Sequence, residues 1–344
     1  MNRYRRNFLK SLALLLLFLP LRIFPSFNKD TVISFKYGVA SGDPTNTNVI
    51  LWTKILPIGN PEIRVRWEVS TLSNFSNLVT FGHVRTNSKN NYTVKVDAKI
   101  PKQYNGKKLY YRFLADGKNS EIGTTSTLPI ENPTNFNIAF CSCSNYPAGY
   151  FNAYKEIANN EKINLVLHLG DYLYEYGHGG YGSKDAEKMG RIVNPRHEML
   201  SLDDYRKRYA TYRSDADLKL LHQRKPMISI WDDHEFTNDS WKKGAQNHSN
   251  DEGSFAKRKK NALQAYYEWM PIREKGRKDK IWRNFKVGNL INLMMLDTRS
   301  YERNKQLDIE NYFKENSFDQ VNFLKDLNKP RKLIGKEQFN WIRS

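Results

Sequence analysis

Two cysteines, Cys141 and Cys143, are too few to hold a chain of 344 residues together by disulfides. On a strand, positions two apart face the same side, and a bond between them would be strained. At least one free thiol is therefore expected. Acidic residues are in deficit, 36 against 55 basic, for a net charge of +19. Lys and Arg are spread along the whole chain and form no stripe, which argues against nucleic acid as a partner except as a substrate. The excess would still draw anionic substrates toward the protein. The N-terminal apolar run, Leu12–Leu19, is well short of the roughly 20 residues that span a membrane. No internal repeat of fixed period is visible. The glycine-rich "HGGYG" (178–182) lacks the lysine and hydroxyl residue of a phosphate-binding P-loop and reads as a lid at most.

The N-terminus reads as an address. Arg5-Arg6, then Phe8, Leu9 and Lys10, precede the apolar run. A charged segment followed by a short apolar one is a signal pattern. The arginine pair resembles a twin-arginine signal over residues 1–27, which implies export of an already folded protein by the twin-arginine machinery. A periplasmic or extracellular location follows. "RIFPSF" is a poor cleavage site, so an uncleaved signal would leave the protein anchored to the membrane.

Residues 33–130 read as an all-β sandwich. "VILWTKI" (49–55), "EIRVRWEVS" (62–70), "YTVKVDAKI" (92–100) and "KLYYRFLAD" (108–116) are β-branched or aromatic runs separated by turn residues. Glu131–Asn135 reads as a linker. From 135 to 344 strand and helix patterns alternate, which predicts an α/β domain. Strands are expected in 136–144, 163–171, 226–233 and 285–299. Helices are expected over 150–160, 201–224 and 253–270, the last stopped by Pro271. Ser201 and Asp204 have the spacing of a capping box.

In open α/β sheets ligands bind beyond the carboxyl ends of the strands. Polar groups stand at four such ends. They are Cys143; Asp171 with Tyr174; the run Asp232, Asp233, His234, Glu235, Asn238 and Asp239; and Asp297 with Arg299. Any one of them taken alone reads as a turn or cap residue. Together they read as a metal centre open to an anionic substrate. Carboxylates suit hard cations, whereas phenolate and thiolate suit a ferric ion. Two cations would activate a water and clamp a phosphoryl oxygen. His234 would give a proton to the leaving oxygen, and Arg299 would grip phosphate in two-pronged fashion. His168, on an apolar strand, reads as a hydrogen-bonded core residue. Tyr172 and Tyr176 read as packing or wall residues, and Trp231 and Trp241 as the pocket rim.

The stretches "YGVASGDPTNTNVILWTKI", "FCSCSNYPAGYFNAYKEIA", "LVLHLGDYLYEYG", "IWDDHEFTNDSW" and "LDTRSY", in this order, resemble the PhoD-type alkaline phosphatases of the metallophosphoesterase group. The resemblance implies an α/β metallophosphoesterase-like sandwich domain preceded by an all-β sandwich. It implies hydrolysis of phosphate mono- or diesters with iron (Fe3+) and calcium (Ca2+). It places iron ligands on Cys143 and Tyr174, a bridging ligand on Asp171 and a second-metal ligand on Asp233, with His234 and Arg299 as catalytic groups. Such enzymes continue beyond "KLIGKEQFNWI" into a stretch with further ligands, and here no histidine follows His248. A truncated domain is therefore expected, as a fragment, an interrupted gene or a degenerate relative. Two other readings remain at this point: a phospholipase D-like phosphodiesterase, and an inactive binding or surface protein. A monomer is expected.

Overall fold

The computed structural model describes residues 33–344, apart from positions 275 and 316. The expected signal over 1–27 lies outside the described residues. Among them no helix is long and apolar enough to cross a membrane.

The first strands are β1 (Val39–Gly42), β2 (Asn48–Lys54), β3 (Ile63–Ser70), β4 (Leu78–Thr86), β5 (Thr93–Lys99), β6 (Leu109–Ala115), β7 (Lys118–Asn119) and β8 (Gly123–Thr125). They are followed by β9 (Ile138–Cys141), β10 (Leu165–His168) and β11 (Met227–Ser229). One sheet has the order β4-β3-β6-β7, with β8 on β6. The other has the order β5-β2-β1-β11-β10-β9. Its β5, β2 and β1 are antiparallel, whereas β1, β11, β10 and β9 are parallel. The sheet thus continues across the boundary expected near 130. β1 joins the two halves where Gly42 pairs with Met227. A Cβ on Gly42 would lie 2.3 Å from the Pro271 carbonyl oxygen and 2.6 Å from that of Met227. Only glycine permits that approach.

β2 shows why the join holds. Successive side chains on a strand face opposite ways. Val49 and Leu51 enter the core between the two sheets, with Val65, Val69, Val94, Tyr111 and Phe113. Trp52 enters the second core, with Leu165, Val166, Ile228, Tyr209 and Trp269. A strand buried on both faces reads as a continuous apolar run, as "VILW" does. Trp52 Nε1 also donates to the Glu268 carbonyl at 2.7 Å.

The second core lies under the helices Asn152–Asn159, Leu202–Tyr212, Ala216–Arg224 and Phe255–Trp269. The stretch 201–224, read as one helix, is two. The first has the predicted capping box of Ser201 and Asp204. The second starts at Asp215, whose side chain accepts from the amides of Asp217 and Leu218. A strong cap three residues past the first helix starts a new one. β12 (Arg283–Val287) and β13 (Ile291–Met295) form a hairpin separate from both sheets. Trp231 is not a rim residue. It is 2% exposed and packs edge-on against Phe236 and Tyr266.

Candidate metal centre

Three loops leave the carboxyl ends of β9, β10 and β11, and backbone bonds tie the first two together. Cys143 N donates to the Gly170 carbonyl at 3.1 Å and Ser144 N to that of Asp171 at 2.8 Å. Gly170 has φ of 109°, and a Cβ there would meet the Asp232 backbone nitrogen at 2.5 Å. Cys143 and Asp171 take left-handed φ values of 58° and 52°. Such conformations cost non-glycine residues about 1 kcal/mol or more and persist only where the surroundings impose them.

Glu235 holds the backbone at Asp171. Its carboxylate is 1% exposed. It accepts from the amides of Tyr172 at 2.6 Å, Asp232 at 2.9 Å and Asp171 at 3.1 Å. Burial and the Asp171 charge push its carboxyl up to about 8 although the amides pull the other way. Arg208, fully buried, holds the next turn. It donates to the carbonyls of Tyr174, Tyr176 at 2.9 Å and Pro195 at 3.0 Å.

This backbone brings the expected ligands together. Cys143 Sγ lies 3.5 Å and the Tyr174 hydroxyl 3.3 Å from Asp171 Oδ2. Asp171, Asp233 and His234, all buried, have donor atoms within 4.8 Å of one another. Burial raises the Asp171 carboxyl, against the pull of His234 and with the push of Asp232. Burial, then Asp171 and Cys143, raise the Tyr174 phenol. Burial lifts Asp233 to about 6, although Arg299 and His234 lower it. Acidic groups crowded in this way fit a cation, which would offset burial and stabilise their ionised forms.

His234 is oriented from behind. Its Nδ1 lies 2.7 Å from Glu175 Oε2. The other Glu175 oxygen accepts from Asn238 N at 2.7 Å, Asn247 Nδ2 at 2.9 Å and Thr237 Oγ1 at 3.1 Å. Burial opposes the imidazolium, but the hydrogen bond and charge of Glu175 outweigh it and raise His234 to about 9. The Tyr174 ring lies 4.1 Å from the imidazole, tilted by 31°.

Arg299 reaches the site, but its fork is engaged. Nε lies 2.6 Å from Asp232 Oδ1 and Nη2 lies 3.2 Å from Asp232 Oδ2. Nη2 is also 3.4 Å from Asp233, and Nη1 is 3.4 Å from Asp239. Asp297 holds the backbone of the loop that carries Arg299, since its Oδ1 accepts from the amides of Arg299 and Ser300 at 2.9 and 2.7 Å. His168 is a core residue whose Nε2 lies 3.2 Å from Ser144 Oγ and 3.1 Å from the Tyr154 hydroxyl. The Tyr172 hydroxyl meets His222 Nε2 at 2.8 Å in the core. Sequence reasoning missed Glu175, and it placed Glu235 in the acidic run without its role as the acceptor of three amides. Glu175 follows Tyr174 directly, and that adjacency was the signal that could have found it, had a buried partner for His234 been sought.

Residues 138–344 match the PhoD-like phosphatase family, and residues 25–129 match the PhoD-like phosphatase N-terminal domain. Alkaline phosphatase D of Bacillus subtilis (strain 168) is 38% identical over 330 residues, covering 90% of this chain and 52% of that protein. A solved structure described as that of PhoD superposes with a TM-score of 0.77 at 37% identity, over 92% of this chain and 60% of the other. The chain thus spans about half the length of the curated relative.

Proposed function

The chain belongs to the PhoD-like phosphatase family, and on that premise we propose that it is an exported, metal-dependent phosphoesterase acting on phosphate mono- or diesters. The observation that carries this is the convergence of Cys143, Asp171, Tyr174, Asp233 and His234 at one edge of the parallel strands. Cys143, Asp171 and Tyr174 would hold iron, and Asp171 and Asp233 would hold calcium, as their soft and hard donor atoms suit. Bound cations supply Lewis acidity toward the phosphoryl oxygen and the attacking water. The chain's own residues do the rest. Glu175 fixes the imidazole through Nδ1, so Nε2 presents a proton to the leaving oxygen. Arg299, with five N–H groups, retains an Nη1 proton for a phosphate oxygen after its contacts to three aspartates. The Arg5-Arg6 signal pattern supports export.

The test is cation content and hydrolysis of a phosphomonoester and a phosphodiester by the purified chain and by Asp171→Asn. The unaltered chain should bind iron and calcium and cleave at least one ester. The variant should lose cation binding and at least 100-fold in rate, on the scale of disrupted catalytic groups. An unchanged rate in the variant refutes the assignment. Tight cation binding with no hydrolysis points to a binding protein instead.

A further inference from the structure

Tyr181 is 66% exposed, an unusual position for a large aromatic beside a polar centre. Its ring stacks on Tyr174 at 6.1 Å and 28° and meets Tyr176 at 5.9 Å. Tyr174 and Tyr176 in turn lie 4.1 and 5.6 Å from the His234 ring. The three tyrosines therefore form a continuous aromatic wall from the proton donor to solvent. The loop that carries Tyr181, read from the sequence as a lid, is pinned. Asn145 Nδ2 donates to the Tyr181 carbonyl at 3.1 Å, His178 N to the Arg196 carbonyl at 2.7 Å, and Ser183 Oγ to the Gly180 carbonyl at 2.7 Å. The backbone on either side of the Tyr181 ring is thus bonded to neighbouring loops.

We propose that Tyr181 is a specificity-determining residue that favours phosphate esters whose leaving group carries a flat ring, such as aryl or nucleoside esters, over small alkyl esters. The proposal rests on the phosphoesterase reading above. A leaving group protonated at His234 departs along Tyr176 and Tyr181, where a planar ring gains offset-stacked or edge contact. An alkyl group of a few carbons covers little of that wall. The Tyr181 hydroxyl is not required for stacking, so phenylalanine should serve as well.

The test is calorimetric binding of phenylphosphonate and methylphosphonate to the metal-loaded full chain, which it cannot hydrolyse. The unaltered protein should prefer the phenyl ligand. Tyr181→Ala should reduce the ratio of the two affinities roughly five-fold, and Tyr181→Phe should retain it. Equal weakening of both ligands in the alanine variant, an unchanged ratio, or no phenyl preference in the unaltered protein would each overturn the proposal. If ring preference is seen but phenyl phosphate is not hydrolysed, the phosphoesterase reading fails and aromatic selection stands.

Discussion

Glu175→Gln separates the charge of Glu175 from its shape. Glutamine fits the same volume, and its carbonyl can take over the donors from Thr237, Asn238 and Asn247. Its NH2 group then faces His234 Nδ1, which must accept instead of donate, so the imidazole becomes neutral. A fall of the His234 pKa from about 9 to the ordinary 6.5 corresponds to about 3 kcal/mol of lost preference for the imidazolium. The assay is a proton and carbon NMR titration of the histidines in chelator-treated protein, with His234 assigned from His234→Asn among the seven histidines. The linkage has a definite sign. A folded pKa raised above the unfolded value contributes stability that is fully present below pH 6.5 and lost as pH rises through 9. The melting temperature of the metal-free chain should thus contain a component that declines between these values, and the glutamine variant should lack it. A His234 that still titrates near 9 in Glu175→Gln would refute the argument that Glu175 sets its charge.

Gly170→Ala should destabilise the chain by about 3 kcal/mol, since φ of 109° and contacts of 2.5 Å to Asp232 leave no room for a methyl group; the urea midpoint measures it. Cation affinity of the chelated chain should rise as pH increases through about 6, because Asp233 must shed its proton to bind; titration calorimetry at several pH values checks the sign. Arg299→Ala should cost about 1–3 kcal/mol in urea unfolding, because it strips the shared counter-charge from Asp232, Asp233 and Asp239.

The local chemistry of the site was legible in the sequence where short spacing carries it. A strand followed by Gly170 and Asp171 delivers a carboxylate to the sheet edge, and Tyr174 returns to it one turn later. The same spacing placed Asp233 beside His234. Longer connections were not legible in the same way. Nothing local in "VASG" (39–42) states that β1 pairs with a strand nearly two hundred positions away, although the unbroken apolar run in β2 carried the hint that both its faces are covered. The break in 201–224 was visible only as Asp215, a cap that helical periodicity on either side hides. Trp231 was misplaced because an aromatic next to aspartates reads as rim, whereas the rings of Phe236, Tyr266 and Tyr267, the last two on a distant helix, enclose it. Arg299 was read as free for phosphate because its partners, Asp232 and Asp239, lie sixty or more residues away.

The costs concentrated at this edge of the sheet argue for a bound cation more strongly than any single ligand does. Cys143 and Asp171 both adopt left-handed backbone conformations, and Asp171, Asp233, Glu175 and Glu235 are all buried carboxylates. A scaffold held only by packing would lose stability through each of these features. Groups that do not themselves line the cluster hold the backbone around it: Glu235 through the amides of Asp171, Tyr172 and Asp232, and Arg208 through four carbonyls. The double-faced β2 and the Gly42 junction then anchor the parallel strands from the other end of the sheet. The side chains of the cluster are therefore positioned by structure formed elsewhere. A cation bound to such a preassembled cluster would add its binding energy to the stability of the fold.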